Sequence, residues 1–227
     1  MKKVGLVGGI SWTSTLDYYK YINEGVNKKL GGLNFAECVI HSINFGDIYT
    51  VGWENAFDLL LNACESLKKN EVERIVLCAN TAHLYADRLQ EAVQLPIIHI
   101  GIETAKAVKK QGYKKVGLLG TKYTMEMDFY KNKLEEFGLE VIIPEKQETR
   151  DYIQDTLRDE LGIGYINPET KKKYIQIVND LIQIGAECII LGCTEIPLLI
   201  NQNDFNIPVF DTSKIHSQAV VDFIVSE

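Results

Sequence analysis

The sequence has no apolar run long enough to cross a bilayer. Its longest, such as Ile189-Ile190-Leu191, are strand-length, against the roughly 20 residues that a spanning helix needs. Positive charge is also scarce: 24 Lys and Arg stand against 31 Asp and Glu, giving a net charge of −7. Nucleic acids and anionic membrane surfaces are recognised through a basic footprint, so this balance argues against both partners. The opening stretch, Met1-Lys2-Lys3-Val4-Gly5-Leu6-Val7-Gly8-Gly9, lacks the apolar core and small-residue cleavage site of a secretory signal. It reads as a first strand, and the expected location is the cytoplasm.

A disulfide framework is missing too. The five cysteines, Cys38, Cys64, Cys78, Cys188 and Cys193, are odd in number and irregular in spacing, which suits a reducing compartment. No pair has zinc-ribbon spacing, so no metal is expected. Nor is there a nucleotide loop: Gly5-Leu6-Val7-Gly8-Gly9 runs G-x-x-G-G rather than G-x-G-x-x-G, and no lysine completes a P-loop. What remains is a tight strand-to-helix turn. Its N–H groups at a helix start suit a carboxylate, and Ser11, Thr13 and Ser14 add hydroxyl donors.

What is present is a strand–helix alternation over 227 residues, 46% of them hydrophobic, enough for one large domain or two small ones. Strands are expected at 3–7, 38–42, 74–78 and 96–100, with helices after Gly9 (Thr13 or Ser14 as cap), at 57–67 and at 81–92. Further strands are expected at 115–120, 140–143, 188–191 and 208–210, with helices at 124–137, 154–161, 170–184 and 213–225. Short, wholly apolar strands such as Ile75-Val76-Leu77 suit a parallel sheet covered on both faces, and the βα alternation indicates an α/β fold.

The second half repeats the first. Lys3-Val4-Gly5-Leu6-Val7-Gly8 matches Lys115-Val116-Gly117-Leu118-Leu119-Gly120, and Leu95-Pro96-Ile97-Ile98 matches Ile207-Pro208-Val209-Phe210, both at an offset of 112. Ile75 to Ala79 matches Ile189 to Cys193 at an offset of 114. The expected architecture is two pseudo-symmetric parallel-sheet α/β domains, residues 1–98 plus 212–227 and residues 99–211. Their active site is expected between them, at the carboxyl ends of the strands.

Two motifs occupy equivalent strand ends. Cys78-Ala79-Asn80-Thr81-Ala82-His83 follows one buried strand, and Gly192-Cys193-Thr194-Glu195-Ile196-Pro197 follows the other. Either alone could be a core cysteine with capping residues. A thiol just before a helix N-terminus is an electropositive setting, expected to lower the pKa of Cys193 from about 8.5.

With Gly8-Gly9-Ile10-Ser11-Trp12-Thr13-Ser14-Thr15, His41 to Phe45, Leu119 to Glu126 and Pro208 to Thr212, these motifs give the chain its resemblance, nearly end to end, to the aspartate/glutamate racemase family, bacterial amino-acid racemase branch. The resemblance implies an amino-acid substrate, no cofactor and a homodimer. It further implies proton removal from Cα by one residue and return by another on the opposite face. Many such proteins use two cysteines, one in C-N-T and one in G-C-T, and opposed acid/base groups are what inversion requires. Here Cys193 takes the second place. The first holds Ala79, with Cys78 one residue earlier and expected to point the other way along the strand.

Three readings of that departure stand: Cys78 reaches the site after all, a water or other side chain supplies the second proton, or the scaffold binds without racemising. Alongside Cys193, Cys78 and Ala79, the expected substrate-binding residues are Ile10, Ser11, Asn80, Thr81, Thr121, Thr124, Thr194 and Glu195. Glu195 could orient the thiol or the substrate ammonium, or simply favour the helix dipole. His83 and His216 are expected to pack or to support other polar groups. The loop Gly46 to Glu54 holds no Arg or Lys but does hold Tyr49 and Trp53, which suggests a substrate side chain less charged than aspartate or glutamate, unless Lys122 or Arg158 supplies the cation. The rivals to a racemase are a single-thiol decarboxylase or isomerase on the same scaffold, and an amino-acid-binding protein without catalysis.

Overall fold

The computed structural model describes residues 1–227 and divides into two compact units, Met1–Ile100 with Ser213–Glu227, and Gly101–Thr212. In the first unit, β1 (Val4–Gly8) leads through α1 (Trp12–Leu30) to β2 (Cys38–Ser42). Then come α2 (Phe45–Val51), α3 (Phe57–Lys68), β3 (Arg74–Leu77), α4 (Ala86–Val93) and β4 (Ile97–Ile98). The second unit runs α5 (Ile100–Lys110), β5 (Lys115–Gly120), α6 (Lys122–Glu126), α7 (Asp128–Glu135), β6 (Glu140–Ile142), α8 (Gln147–Asp159), α9 (Pro168–Gln183), β7 (Cys188–Gly192) and β8 (Val209–Asp211). The last helix, α10 (Thr212–Ile224), returns to the first unit.

Each unit holds one four-stranded sheet, in the order β2-β1-β3-β4 and β6-β5-β7-β8. Every pairing is parallel. The internal repeat is thus a repeat of topology, with β1 matching β5 and β3 matching β7. All residues of β1 and β7 are buried, as expected of parallel strands covered on both faces. In the first unit, Leu60, Leu67, Ile75, Leu77 and Leu89 fill one side of the sheet, and Leu6, Tyr18, Ile22, Val76, Val220 and Val221 fill the other. In the second, α8 and α9 bury Ile153, Tyr174 and Val178 with Leu119, Ile189 and Leu191.

Several elements depart from their expected limits. Ser11, not Thr13 or Ser14, caps α1: its extended backbone lets Oγ accept the Ser14 N–H at 3.3 Å. The expected strand at 96–100 pairs only over Ile97–Ile98, because α5 starts at Ile100 almost without a loop. The expected helix at 124–137 is two helices, broken at Met127 by an extended conformation (φ −90°, ψ 153°). No helix is long and apolar enough to cross a membrane.

Candidate active site

At the carboxyl end of β1 the backbone turns at Gly9, where φ is +81° and a Cβ would lie 2.1 Å from the Ile43 carbonyl oxygen. Only glycine fits there. The Gly9 N–H donates to Thr15 Oγ1 at 2.9 Å, and Thr15 Oγ1 in turn donates to the Ser11 carbonyl at 2.8 Å. Ile10 is buried in the core, while Ser11 is half-buried, with Oγ 2.9 Å from Thr13 Oγ1.

At the end of β3, alternation separates two neighbours. Cys78 is 1% exposed and packs with Val4, Leu6 and Ile98 on one side of the sheet. Burial pushes its thiol well up. Ala79, 8% exposed, packs with Ile10 and Ile43 on the other side. Reaching the Ala79 side would require Cys78 to leave the core through the sheet, so the geometry gives no support to Cys78 as a catalytic thiol. Asn80 and Thr81 are buried just beyond, and Thr81–Tyr85 forms a 3₁₀ turn before α4 rather than the start of one long helix.

That strand end is held by a buried cluster of His83, His99, His216 and Tyr18. A carbonyl only accepts, so His83 Nδ1–H must donate to the Ala79 carbonyl (2.9 Å). His83 Nε2 accepts the Ile100 N–H at 3.2 Å. By the same logic His216 Nε2–H donates to the Ile98 carbonyl (2.7 Å), and Nδ1 accepts from the Tyr18 hydroxyl (2.8 Å). Both rings are neutral in one fixed tautomer. Burial lowers His83 to about 4 and His216 to about 3. His99 lies against His83, ring centroids 4.8 Å apart. Nothing in the sequence marks His99 or Tyr18 for this cluster, since each reads as an ordinary strand or helix-face residue.

In the second unit Thr121 caps α6. Its Oγ1 accepts the Thr124 N–H at 3.2 Å and lies 3.1 Å from Thr124 Oγ1. Thr124 is fully buried, so it sits beneath Thr121 as a support. β5 and β7 approach closely at their ends: a Cβ on Gly120 would lie 2.8 Å from the Gly192 carbonyl oxygen.

Cys193 comes directly after Gly192 and is half-buried. Its Sγ–H donates to Glu195 Oε2 at 2.9 Å, and the Thr194 hydroxyl donates to the same oxygen at 3.0 Å. Glu195 is 8% exposed. The expectation of a lowered thiol pKa is overturned. Burial and then the Glu195 carboxylate push Cys193 well above the ordinary thiol range, while the backbone N–H groups of Glu195 and Thr194 pull the other way and lose. The chain continues into a three-residue 3₁₀ turn, Ile196–Leu198, which has too little aligned backbone to act as a helix dipole.

Neither cation suggested for a substrate carboxylate is uncommitted. Lys122 Nζ lies 2.7 Å from Asp151, and Arg158 holds Asp159 at 2.6 Å and Asp155 at 3.1 Å. In α2, Asn44 is the cap and Tyr49 is exposed. Trp53 packs against the first core, and its carbonyl accepts from the Tyr85 hydroxyl at 2.6 Å. No group of three or more His, Cys, Asp or Glu side chains is placed to hold a metal ion.

Comparison with known proteins bears on these strand ends. The broad specificity amino-acid racemase RacX of Bacillus subtilis is 25% identical over 226 residues, 96% of each chain. A crystal structure of a candidate Asp/Glu racemase from Yersinia pestis superposes with a TM-score of 0.92 at 42% identity, covering all of both chains. An aspartate racemase homologue from Pyrococcus horikoshii OT3 superposes with a TM-score of 0.85 at 38% identity, again over both whole chains. The sequence model described as Asp/Glu/Hydantoin racemase matches residues 7–220 and so takes in both motifs. The two-sheet α/β chain belongs to the Asp/Glu/hydantoin racemase family.

Proposed function

We propose that this chain is an amino-acid racemase, independent of pyridoxal phosphate, in which Cys193 carries the α-proton. The observation that carries this reading is the half-buried thiol at the end of β7, inside the motif that the family match includes. As thiolate, Cys193 takes the proton from Cα, and as thiol it returns one. Thr121, Thr194, Asn80 and Thr81 supply hydroxyl and amide donors for the substrate's carboxylate and ammonium, with Thr124 holding Thr121 in place. Ile10 and Ser11 line the floor. Preorganised donors of this kind stabilise a carbanion without the reorganisation that water would need.

The internal repeat sets Ala79 at the position that matches Cys193, where the family resemblance implies a second acid/base group, and Ala79 has no proton to give. The proton on that face comes from a water or another side chain, and one direction of turnover is favoured. Substrates are proposed to extend beyond aspartate and glutamate. Support comes from the cation-free loop over 46–54, from the ion pairs that occupy Lys122 and Arg158, and from the broad specificity stated for RacX. Ala79 also favours a second reading, a decarboxylase or isomerase needing one protonating thiol.

The test is α-proton exchange in D2O, followed by NMR for both enantiomers of a panel of acidic and neutral amino acids. Exchange is expected for at least one enantiomer and should vanish in Cys193→Ala. Loss of CO2 or a changed carbon skeleton would select the second reading. Binding without any exchange would leave a binding protein and sink the racemase reading.

A further inference from the structure

We infer that Glu195 is the internal proton acceptor for Cys193. Its carboxylate takes the proton of Sγ–H to create the thiolate, then gives it back when the thiol is restored. The inference rests on the racemase reading above and assigns the step before α-proton removal. Its basis is geometric. Sγ–H points at Glu195 Oε2 from 2.9 Å, and the Thr194 hydroxyl fixes that same oxygen from 3.0 Å. Glu195 as a whole is 8% exposed, so solvent does not compete strongly for its carboxylate.

A thiol must lose its proton before it can act as a base. Here burial and the neighbouring negative charge disfavour the thiolate, so ionisation into solvent would leave two anions side by side. Transfer to Glu195 avoids that, because the S–H bond breaks as the O–H bond forms and the pair keeps one negative charge throughout. The thiolate then takes the substrate's α-proton, forming S–H and leaving the electron pair on Cα. Reprotonation runs the same bonds backwards, and no other reactant is consumed. Such a pair titrates as one coupled system. The backbone N–H groups of Thr194 and Glu195 reach the sulfur and stabilise the thiolate when it forms.

This assignment separates from a mere electrostatic contact by sign. Two quantities are measured on the full chain: the pH profile of Cys193 alkylation by iodoacetamide, with Cys193→Ala as background, and α-deuterium exchange. In Glu195→Gln the thiol loses its anionic neighbour, so alkylation at neutral pH should quicken, about tenfold for each unit by which the profile moves down. Exchange should nevertheless fall, by roughly 10²–10⁴-fold, the usual worth of a positioned acid/base group. Glu195→Asp should recover part of it. If Glu195 only restrained the thiol, Glu195→Gln would exchange faster than the wild type, and that outcome overturns the inference. Unchanged alkylation in Glu195→Gln also overturns it, by removing the contact on which it stands. If the wild-type protein exchanges no amino acid yet alkylation still quickens in Glu195→Gln, the thiol–carboxylate couple holds and the racemase reading is what fails.

Discussion

At the scale of single residues, the chemistry turns on which side chains leave the sheet on which face. Alternation along β3 puts Cys78 in the core under α1 and α10 and puts the Ala79 methyl on the other side. That difference was legible in the sequence, because strand alternation sends Cys78 and Ala79 to opposite faces and the repeat offset matches Ala79, not Cys78, with Cys193. It leads to a substitution. In Ala79→Cys a thiol replaces one methyl hydrogen at the position matching Cys193. Racemisation of the enantiomer that the wild type handles poorly should rise by at least about tenfold, and Ala79→Ser, a far weaker acid, should give much less. The check is circular dichroism at a wavelength where the amino acid absorbs, starting from each enantiomer. Equal rates for Ala79→Cys and wild type, with Cys193→Ala still inactive, would remove position 79 from the opposing face. The state of Cys193 was not legible. Helix-start reasoning predicted a lowered thiol pKa, but the sequence cannot show that the Glu195 side chain folds back to within 2.9 Å of the sulfur.

At the scale of elements, the end of β3 is tied to the β4–α5 junction by histidines. His83 bridges the Ala79 carbonyl and the Ile100 N–H, and His216 of α10 ties the Ile98 carbonyl to Tyr18 of α1. A doubly protonated ring could not accept from Ile100 or from Tyr18, so both contacts need neutral histidine. The pH consequence has a definite sign. An unfolded histidine titrates near 6.5, whereas folded His83 and His216 are lowered to about 4 and about 3. Between these limits the unfolded chain binds more protons, so stability is full above about pH 6.5 and falls as pH drops toward 3. The His83 shift alone corresponds to about 3 kcal/mol. Melting temperature should therefore fall steeply from pH 6.5 to 4, and His83→Gln, less stable at pH 7, should show a flatter decline. A wild-type melting curve that does not move over this range would refute the assignment. Elements with clear apolar periodicity, such as α3 and α9, were readable. α5 was missed because no turn residues separate it from β4, and α2 because it is a seven-residue helix with Gly46, Thr50 and Val51 in it. α8 starts at Gln147 rather than at the expected Gln154, because its first turns, Gln147 to Asp151, are all polar and carry no apolar periodicity.

At the scale of the whole molecule, the repeated strand order is the feature most plainly written in the sequence, in the shared segments at 3–8 and 115–120. The symmetry is broken by the last helix. α10 comes after the strands of the second unit in sequence but belongs to the first, where Val220, Val221 and Ile224 are fully buried against Leu6, Tyr18, Ile22 and Val76. The fit with α1 is close: a Cβ on Gly25 would lie 2.6 Å from Val221. The Lys2 N–H also donates to the Ile224 carbonyl at 3.0 Å. Burial of three such side chains contributes on the order of 5 kcal/mol or more, comparable with the whole stability of a typical domain. The first unit therefore cannot complete its core until α10 is present, whereas the second unit, Gly101–Thr212, takes nothing from α10 beyond Thr212. A chain ending at Thr212 should thus behave unevenly. Amide hydrogen exchange read by mass spectrometry should show β1 and β3 losing most of their protection, while β5 and β7 keep theirs. Full protection of β1 and β3 in the shortened chain would mean that α10 only covers a core already complete without it.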